Sequence, residues 1–375
     1  MASTLSLTIL IPITIYFCFL QYRISVFTED KKDKFYVRVW LAFFIICNFI
    51  FYINIDLRSP VDIILIVGYG CMIIFFWGFH IIYKYVLRQD GKYMKPVDVE
   101  FQEKREFLHE FLRKFFHFFV FGGCLLFVVL YSTISMDVIK KYPDFGAYGK
   151  NLFWENSIFA PLNYDFPMDA IFFRPTQMQI GMIIFFMIAL PFGILAEYFR
   201  LNPKLGIPFQ PLFVKSLRPH EQNNAADYYY FTFGFFIATY FLPAAAAFGV
   251  LCIMCFGDTF ASLVGKMLKK EKKHYIKWEP KKCWEGSIAG FLATFISAIF
   301  FVGWILALVL STIFIIFDAT TPTKIKISDN FIYPLIGVFT LFVILSLGFQ
   351  MDAIVANYFT DINNWFAERA REVIY

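Results

Sequence analysis

Long apolar runs separated by polar segments recur along the entire chain. A run of about 20 apolar residues can cross the hydrocarbon core of a bilayer as an α-helix, which satisfies its own backbone hydrogen bonds. The pattern therefore predicts an all-α, polytopic membrane helical bundle with about nine transmembrane helices, in a range of about eight to ten. The predicted spans lie near residues 3–20, 37–55, 61–83, 115–135, 178–199, 229–242, 243–264, 286–317 and 331–351.

The apolar run 288–317 does not fit a single span. As one helix it would be about 45 Å long, whereas the hydrocarbon core is about 30 Å thick. Two arrangements remain open: a steeply tilted helix, or a pair of short helices that turn near Gly303 and Trp304. The choice decides on which side of the membrane Asp329 and Asn330 lie.

Composition supports the membrane interpretation. Hydrophobic residues make up 59% of the 375 positions and charged residues only 17%, which excludes a set of ordinary soluble domains. The seven cysteines lie mostly inside apolar runs, and we interpret them as small buried hydrophobes. Residues 1–20 lack a basic start and a small-residue cleavage site, so we interpret them as the first membrane helix. We expect no nucleic-acid partner.

The loops differ sharply in positive charge. Alternate loops, at 21–38, 84–114, 200–228 and 266–283, hold 25 of the 34 Lys and Arg residues, and the loops between them hold seven. Because cytosolic loops are enriched in Lys and Arg, this asymmetry puts the N-terminus outside and the four basic loops in the cytosol. Loop 266–283 then lies on the side where nucleoside triphosphates occur.

The stretch 256–291 carries the clearest candidate chemistry. An apolar run ends at Asp258, a connector with eight lysines follows, and Lys281-Lys282-Cys283-Trp284-Glu285-Gly286 precedes the next apolar run. Carboxylates suit Mg²⁺, whereas ammonium groups and glycine backbone suit phosphates, so the stretch favours a bound nucleoside triphosphate with a divalent ion. An ordinary positively charged loop beside a helix-terminal Asp is the alternative.

Other ionisable residues lie at or near membrane depth, where they are costly and point to function. Arg113 and His117 are four residues apart and share a helix face, either as a basic pair facing phosphates or as an interfacial anchor. Glu197 and Arg200 are spaced for a local ion pair. Asp329 is explained equally well by helix capping and by metal binding.

Three further segments are interpreted from composition and periodicity. The charged stretch between Tyr83 and Arg113 predicts an interfacial amphipathic helix. Loop 136–177 is interpreted as a non-cytosolic cap or irregular segment. The tail 352–375 predicts an amphipathic helix that lies on the membrane surface or contacts a membrane-protein partner.

Taken in order, the polar blocks resemble those of the polyprenol (dolichol/phytol) kinase family, which includes the CTP-dependent diacylglycerol kinases of fungi. The similarity covers residues 110 to 345, and the remaining termini lie outside it. The blocks are Arg113-Lys114-x-x-His117, Glu197-x-x-Arg200, Leu217-Arg218-x-x-Glu221, Tyr230-Phe231-x-x-Gly234, Asp258-x-x-Ala261-x-x-x-Gly265, Lys281-Lys282-x-x-Glu285-Gly286 and Asp329-Asn330-Phe331-Ile332-Tyr333-Pro334.

The resemblance implies transfer of the γ-phosphate of CTP to a membrane lipid alcohol, at a site facing the cytosol. It also implies that Asp329 lies near Asp258 and Glu285, which favours two short helices in 288–317. These three carboxylates would be catalytic and would hold Mg²⁺ or another divalent cation, with Asp329 either a third ligand or the acceptor of the alcohol proton.

The resemblance also implies roles for basic residues and glycines. Lys282, with Lys281, would neutralise charge on the leaving CDP, and two glycines would let the backbone approach phosphates. The implied nucleotide-binding residues are Gly265, Lys281, Lys282, Gly286, Arg113, His117 and Arg218.

The chain departs from the family pattern at Cys283, in a longer basic connector, and at Asp227-Tyr228-Tyr229. Two rival functions therefore stay open: a non-catalytic membrane subunit that retains the kinase fold, and a phosphatidate cytidylyltransferase-like enzyme that uses CTP and releases pyrophosphate. Dolichol, diacylglycerol and prenyl or phytyl alcohols all remain candidate acceptors. The endoplasmic reticulum is the expected membrane, with another organelle as the alternative.

The blocks also suggest a division of the chain. We predict N-terminal membrane helices with a basic interfacial segment at 1–109, a kinase-like CTP-dependent membrane domain at 110–351, and the amphipathic tail at 352–375.

Overall fold

The computed structural model describes residues 2–54, 60–86, 106–141, 177–202, 205, 217–218, 221–268, 271, 273–320, 329–349, 351–354, 357 and 361. Most of the predicted interfacial helix, of loop 136–177 and of the C-terminal tail lies outside these residues. Predictions about those three segments therefore stay predictions.

The described part of the chain is almost entirely helical, and the predicted all-α polytopic fold is confirmed. A short antiparallel hairpin of β1 (Tyr275–Ile276) and β2 (Glu279–Cys283) interrupts the helices. The helices are α1 (Ala2–Phe27), α2 (Lys31–Asn54), α3 (Pro60–Ile81), α4 (Glu106–Lys141), α5 (Gln177–Leu201), α6 (Asp227–Phe241), α7 (Ala244–Cys252), α8 (Asp258–Met267), α9 (Trp284–Thr320) and α10 (Asp329–Ser346). Two π-helical turns, Ile82–Val86 and Ile253–Gly257, continue α3 and join α7 to α8.

Seven helical segments in the described residues are long and apolar enough to cross a membrane. Two further predicted runs, at 37–55 and 229–242, are also helical, as α2 and α6. One of the seven, α9, has 37 residues and is bent back on itself, so the single predicted run 286–317 forms two helices. The chain has the length and hydropathy of an integral membrane protein.

The chain divides into two compact units, each assembled from separate stretches of sequence. The first comprises residues 1–109 and 187–233, and the second comprises residues 110–186 and 234–375. Aromatic packing holds the first unit: Trp40 stacks on Phe233 with 4.7 Å between ring centroids, and Phe76 packs against Phe199. These compact units do not test the predicted division into segments 1–109, 110–351 and 352–375, which stays a prediction.

In the second unit, α9 is a pair of helices and not one tilted helix. Gly303 has φ 80° and ψ 168°, a left-handed conformation that favours glycine and ends one helix before the next begins. The halves are each about 25–28 Å long, close to the thickness of the hydrocarbon core. The Ser287 hydroxyl near the start of α9 donates to the Asp318 carboxylate near its end, 2.5 Å away. The sequence-based alternative of two short helices is therefore confirmed.

A seam of small residues brings the start of α9 against α8. A Cβ on Gly286 would lie 2.7 Å from the Ala261 carbonyl oxygen, and a Cβ on Gly290 would lie 2.7 Å from that of Gly257. Small residues at four-residue spacing allow this close backbone approach between membrane helices. The seam joins the stripe of Gly257, Ala261 and Gly265 to the stripe of Gly286, Gly290 and Thr294.

We predict that Gly290→Ala destabilises the protein, because the added Cβ would lie 2.3 Å from a Phe314 ring carbon. Overpacking of this kind costs about 1–3 kcal/mol. Thermal unfolding in detergent measures the loss as a lower melting temperature. Gly122→Ala is the matched control, because no atom lies within 4 Å of its Cβ position. Equal melting temperatures for the two variants would contradict the seam.

Candidate active site

One face of α4 is lined with buried charges. Glu110, Arg113, Lys114 and His117 follow helical spacing, and each is at most 7% exposed. The predicted common face of Arg113 and His117 is therefore confirmed. Buried charges of this kind require partners, because an unpaired ion in an apolar interior is expensive.

Lys114 pairs with Asp258. Its ammonium donates to the Asp258 carboxylate, and the Lys114 side chain is only 1% exposed. His117 lies within electrostatic range of the same carboxylate. Asp258 begins α8 directly after the π-helical turn, at the point where the seam brings α9 close. Lys114 belongs to the first polar block, but the sequence analysis gave it no role.

Arg113 has a different partner. Its guanidinium donates to one oxygen of Glu110, whose other oxygen accepts a 2.8 Å bond from Lys266. Glu110 thus pairs with two cations, and its bond to Lys266 links α4 to the end of α8. The sequence analysis missed Glu110, although an acid three residues before Arg113 in an apolar helix was a usable signal.

Lys282 is held at the end of α9. Its ammonium donates to a carboxylate oxygen and to the backbone oxygen of Asp318, both at 2.9 Å. The other carboxylate oxygen of Asp318 accepts from Ser287, and Tyr333 hydrogen-bonds to the same carboxyl group. Asp318 is a second residue that the sequence analysis missed; its signal was a carboxylate directly after a long apolar run.

Two carboxylates besides that of Asp318 also affect the pKa of the Lys282 ammonium. Burial lowers the pKa of its ammonium, but Asp329 and Asp318, with a smaller contribution from Asp258, outweigh burial and raise the pKa above its usual value. Asp329 itself lies within electrostatic range of Lys282, Asp258 and Asp318. The structure therefore brings the predicted residues Asp258, Lys282 and Asp329 into one cluster, together with Lys114 and Asp318.

Glu285 is engaged elsewhere. Its carboxylate accepts from the His274 backbone N–H at 3.1 Å and contacts the His274 ring nitrogen at 2.5 Å, which ties the basic connector to the start of α9. Within the described ranges, no group of three or more His, Cys, Asp or Glu side chains is arranged to hold a metal ion. The role of Glu285 as a metal ligand stays a prediction.

The two predicted phosphate-binding glycines lie in the helix seam. Cys283 is beside both: its sulfur would be 3.7 Å from a Cβ on Gly265 and 3.5 Å from a Cβ on Gly286. Close packing against Ala261 already accounts for Gly286, and backbone approach to a phosphate stays a prediction. The side chain of Lys281 lies outside the described residues.

Arg218 belongs to the first compact unit. Its guanidinium lies 3.4 Å from the carboxylate of Asp227, and the Arg218 side chain is 40% exposed. Its part in nucleotide binding stays a prediction. The same pair gives Asp227 a structural partner. Asp227 is the first residue of Asp227-Tyr228-Tyr229, one of the places where the sequence departs from the pattern it resembles.

The first unit also contains a fully buried ion pair. Arg200 pairs with Glu197, as the spacing predicts, and also donates to the backbone oxygens of Glu221, Gln222 and Asn224. The hydroxyl of Tyr228 donates to Glu197, and the hydroxyl of Tyr229 accepts a 2.9 Å bond from Gln21. The bulky tyrosines at this point of the chain thus serve a buried polar network that orders the segment before α6.

Comparisons with known proteins give one informative similarity. Over 99 residues the chain is 33% identical to the rice (Oryza sativa subsp. japonica) protein described as "Probable phytol kinase 2, chloroplastic". The matched region is 25% of this chain and 32% of the relative, so the chain spans about a third of the relative's length. No family model matches the chain, and no solved structure matches it.

We predict that Lys114→Met strongly destabilises the protein, because it leaves the partly buried carboxylate of Asp258 without its cation. Breaking a buried pair in this way costs about 3–5 kcal/mol. Thermal unfolding in detergent should show a large fall in melting temperature, and the double variant Lys114→Met/Asp258→Asn should recover part of it. The exposed Lys277→Met is the control. A double variant less stable than Lys114→Met would contradict the pairing.

Proposed function

We propose that this chain is a CTP-dependent lipid kinase that transfers the γ-phosphate of CTP to the hydroxyl of a membrane lipid alcohol. The observation that carries the proposal is the cluster in which Lys282 lies among the carboxylates of Asp258, Asp318 and Asp329. The similarity to a protein described as a phytol kinase supports the same reaction class and favours a prenyl alcohol such as phytol as acceptor. Dolichol and diacylglycerol are the other candidates.

Phosphoryl transfer requires positioning and charge neutralisation more than covalent help from the protein. Lys282, with Lys281, neutralises the charge that builds on the β-phosphate as CDP leaves. His117 and Arg113 add positive charge on the face of α4, although the guanidinium of Arg113 is also hydrogen-bonded to the carboxylate of Glu110. Arg218, which belongs to the first compact unit, is a further predicted nucleotide-binding residue.

The carboxylates suit a magnesium–nucleotide complex. Mg²⁺ usually takes one or two protein carboxylates and completes its shell with phosphate oxygens and water, so a cage of three protein ligands is not required. Asp258 and Glu285 are the two predicted ligands. Asp329 lies within electrostatic range of Asp258, and it is either a third ligand or the acceptor of the alcohol proton. When bound, the ion would neutralise charge on the triphosphate.

Asp329 suits the proton-accepting role. Its carboxylate forms no hydrogen bond or ion pair with any residue that the structure describes, whereas Asp258 and Asp318 are paired with lysines. The alcohol oxygen forms a bond to the γ-phosphorus, the bond from that phosphorus to the bridging oxygen breaks, and CDP leaves with the electron pair. The hydroxyl proton passes to Asp329.

The acceptor enters from the bilayer, since a lipid alcohol is held there by its apolar chain. The organelle belongs to the proposal as well: we propose the endoplasmic reticulum with the nucleotide site facing the cytosol, and a plastid or other organelle membrane as the alternative. A membrane-protein partner would bind through the N-terminal helices or the C-terminal tail.

We predict that the purified chain with Mg²⁺ transfers label from γ-labelled CTP to a lipid alcohol, tested with phytol, a longer prenyl alcohol, dolichol and diacylglycerol. Asp258→Asn should lower kcat by at least about 100-fold because it removes a charge that holds the nucleotide complex. Asp352→Asn, an exposed carboxylate, is the matched control.

The rival functions give different results in the same assay. A cytidylyltransferase transfers label from α-labelled CTP to phosphatidate and releases pyrophosphate. A non-catalytic subunit transfers neither label, and its Asp329→Asn variant assembles and functions in cells like the wild type. Either result would overturn the kinase proposal.

Metal removal gives a separate prediction. Treatment with EDTA should abolish transfer, and added Mg²⁺ should restore it, because uncompensated triphosphate charge opposes binding at a cluster that contains three carboxylates. The measurement is the initial rate of lipid phosphorylation before and after metal is returned. Full activity in EDTA would exclude a divalent ion from the mechanism.

A further inference from the structure

Asp318 occupies a position that an isolated helix would disfavour. It lies in the last turn of α9 and is 8% exposed. The C-terminal end of a helix carries partial negative charge, so a buried carboxylate there is opposed by both the helix dipole and desolvation. Its presence is explained by the groups that its two oxygens contact.

Both carboxylate oxygens of Asp318 are engaged. One accepts from the Lys282 ammonium at 2.9 Å, and the other accepts from the Ser287 hydroxyl at 2.5 Å. The Tyr333 hydroxyl is a further hydrogen-bond partner. Because its oxygens are occupied in this way, Asp318 is poorly placed to accept a substrate proton or to bind a cation directly.

The same contacts orient Lys282. An ammonium group has three N–H donors, and two are directed to the carboxylate and backbone oxygens of Asp318. The third N–H is not used by Asp318, and the Lys282 side chain retains 18% exposure. The long lysine side chain, which would otherwise sample many rotamers, is thereby held within electrostatic range of Asp258 and Asp329.

We propose that Asp318 is a positioning residue of the kinase reaction, which fixes the Lys282 ammonium where it meets the phosphates before CTP binds. The inference rests on the proposed function. Preorganised charge of this kind acts on the transition state, because no reorganisation is needed when charge develops on the leaving group. Asp318 acts through Lys282 and does not touch the reacting atoms.

A purely structural role makes a different prediction. The Trp278 indole N–H donates to the Ala319 carbonyl oxygen at 2.5 Å, so Trp278 and Lys282 together cap the end of α9. If capping were the whole function of the Lys282–Asp318 contact, its loss would lower the melting temperature and leave kcat of the folded enzyme unchanged.

The test is a double-mutant cycle on the purified full-length chain, with CTP and the lipid alcohol that the wild type phosphorylates. Asp318→Asn should lower kcat about 100-fold with a smaller change in the KM for CTP, because a misplaced catalytic charge costs about this much. Lys282→Met should cause a comparable loss. The double variant should lose no more than about twofold beyond Lys282→Met, because coupled residues are not additive.

Two further variants complete the design. Ser287→Ala keeps the Asp318 charge but removes one of its hydrogen bonds, so a loss of about 2- to 10-fold in kcat is expected. If Asp318→Asn does not fold, Ser287→Ala tests in its place whether Asp318 positions Lys282 for catalysis. Asp352→Asn, whose carboxylate is exposed, should match the wild type.

The outcomes separate the inference from the proposed function. An active wild type with unchanged kcat in Asp318→Asn or, if that variant does not fold, in Ser287→Ala overturns the inference and leaves the kinase intact. Multiplicative losses in the double variant also overturn it, because Asp318 would then act independently of Lys282. A wild type that phosphorylates no alcohol overturns the kinase and the inference together.

Discussion

The pairing of charges inside an apolar bundle is the constraint on which the second compact unit depends. A charged residue at the centre of a membrane helix costs about 2.5–3.5 kcal/mol on insertion scales. The buried face of α4 carries several charged residues at one end of the apolar segment Glu110–Tyr131, and the structure compensates them with the carboxylates of Asp258 and Glu110 and with Lys266. The Lys114–Asp258 and Glu110–Lys266 contacts join elements far apart in sequence, so these pairs lower the cost of burial and also fix which helices are neighbours.

Local physics made part of this structure predictable. Apolar run length gave the helices, and the mismatch between 288–317 and the bilayer pointed to the turn at Gly303. Helical spacing gave the common face of Arg113 and His117 and the ion pair between Glu197 and Arg200. In each case the information lies within a few turns of one helix, where periodicity is a direct consequence of backbone geometry.

The candidate site was only partly predictable, because its contacts are long-range. Lys114 meets Asp258 across 144 residues, and Lys282 meets Asp318 across 36. No local pattern reports which lysine faces which carboxylate. Glu285 illustrates the limit, because nothing in its spacing indicated that its carboxylate contacts His274 in the connector, and its role as a metal ligand stays a prediction. The four-residue spacing of Gly257, Ala261 and Gly265 likewise has a packing explanation in the helix seam.

The turn at Gly303 ties the geometry of the Lys282–Asp318 contact to the lengths of the two helices that it joins. Each residue added to a helix advances it by about 1.5 Å and rotates it by about 100°. A one-residue insertion or deletion between Gly303 and Asp318 would therefore swing the carboxylate away from the lysine, even though the inserted residue lay deep in the bilayer and far from any polar group. The lengths of the apolar helices therefore determine the site as much as the charged residues do. Insertions and deletions should accordingly be tolerated in the connectors and not within these helices.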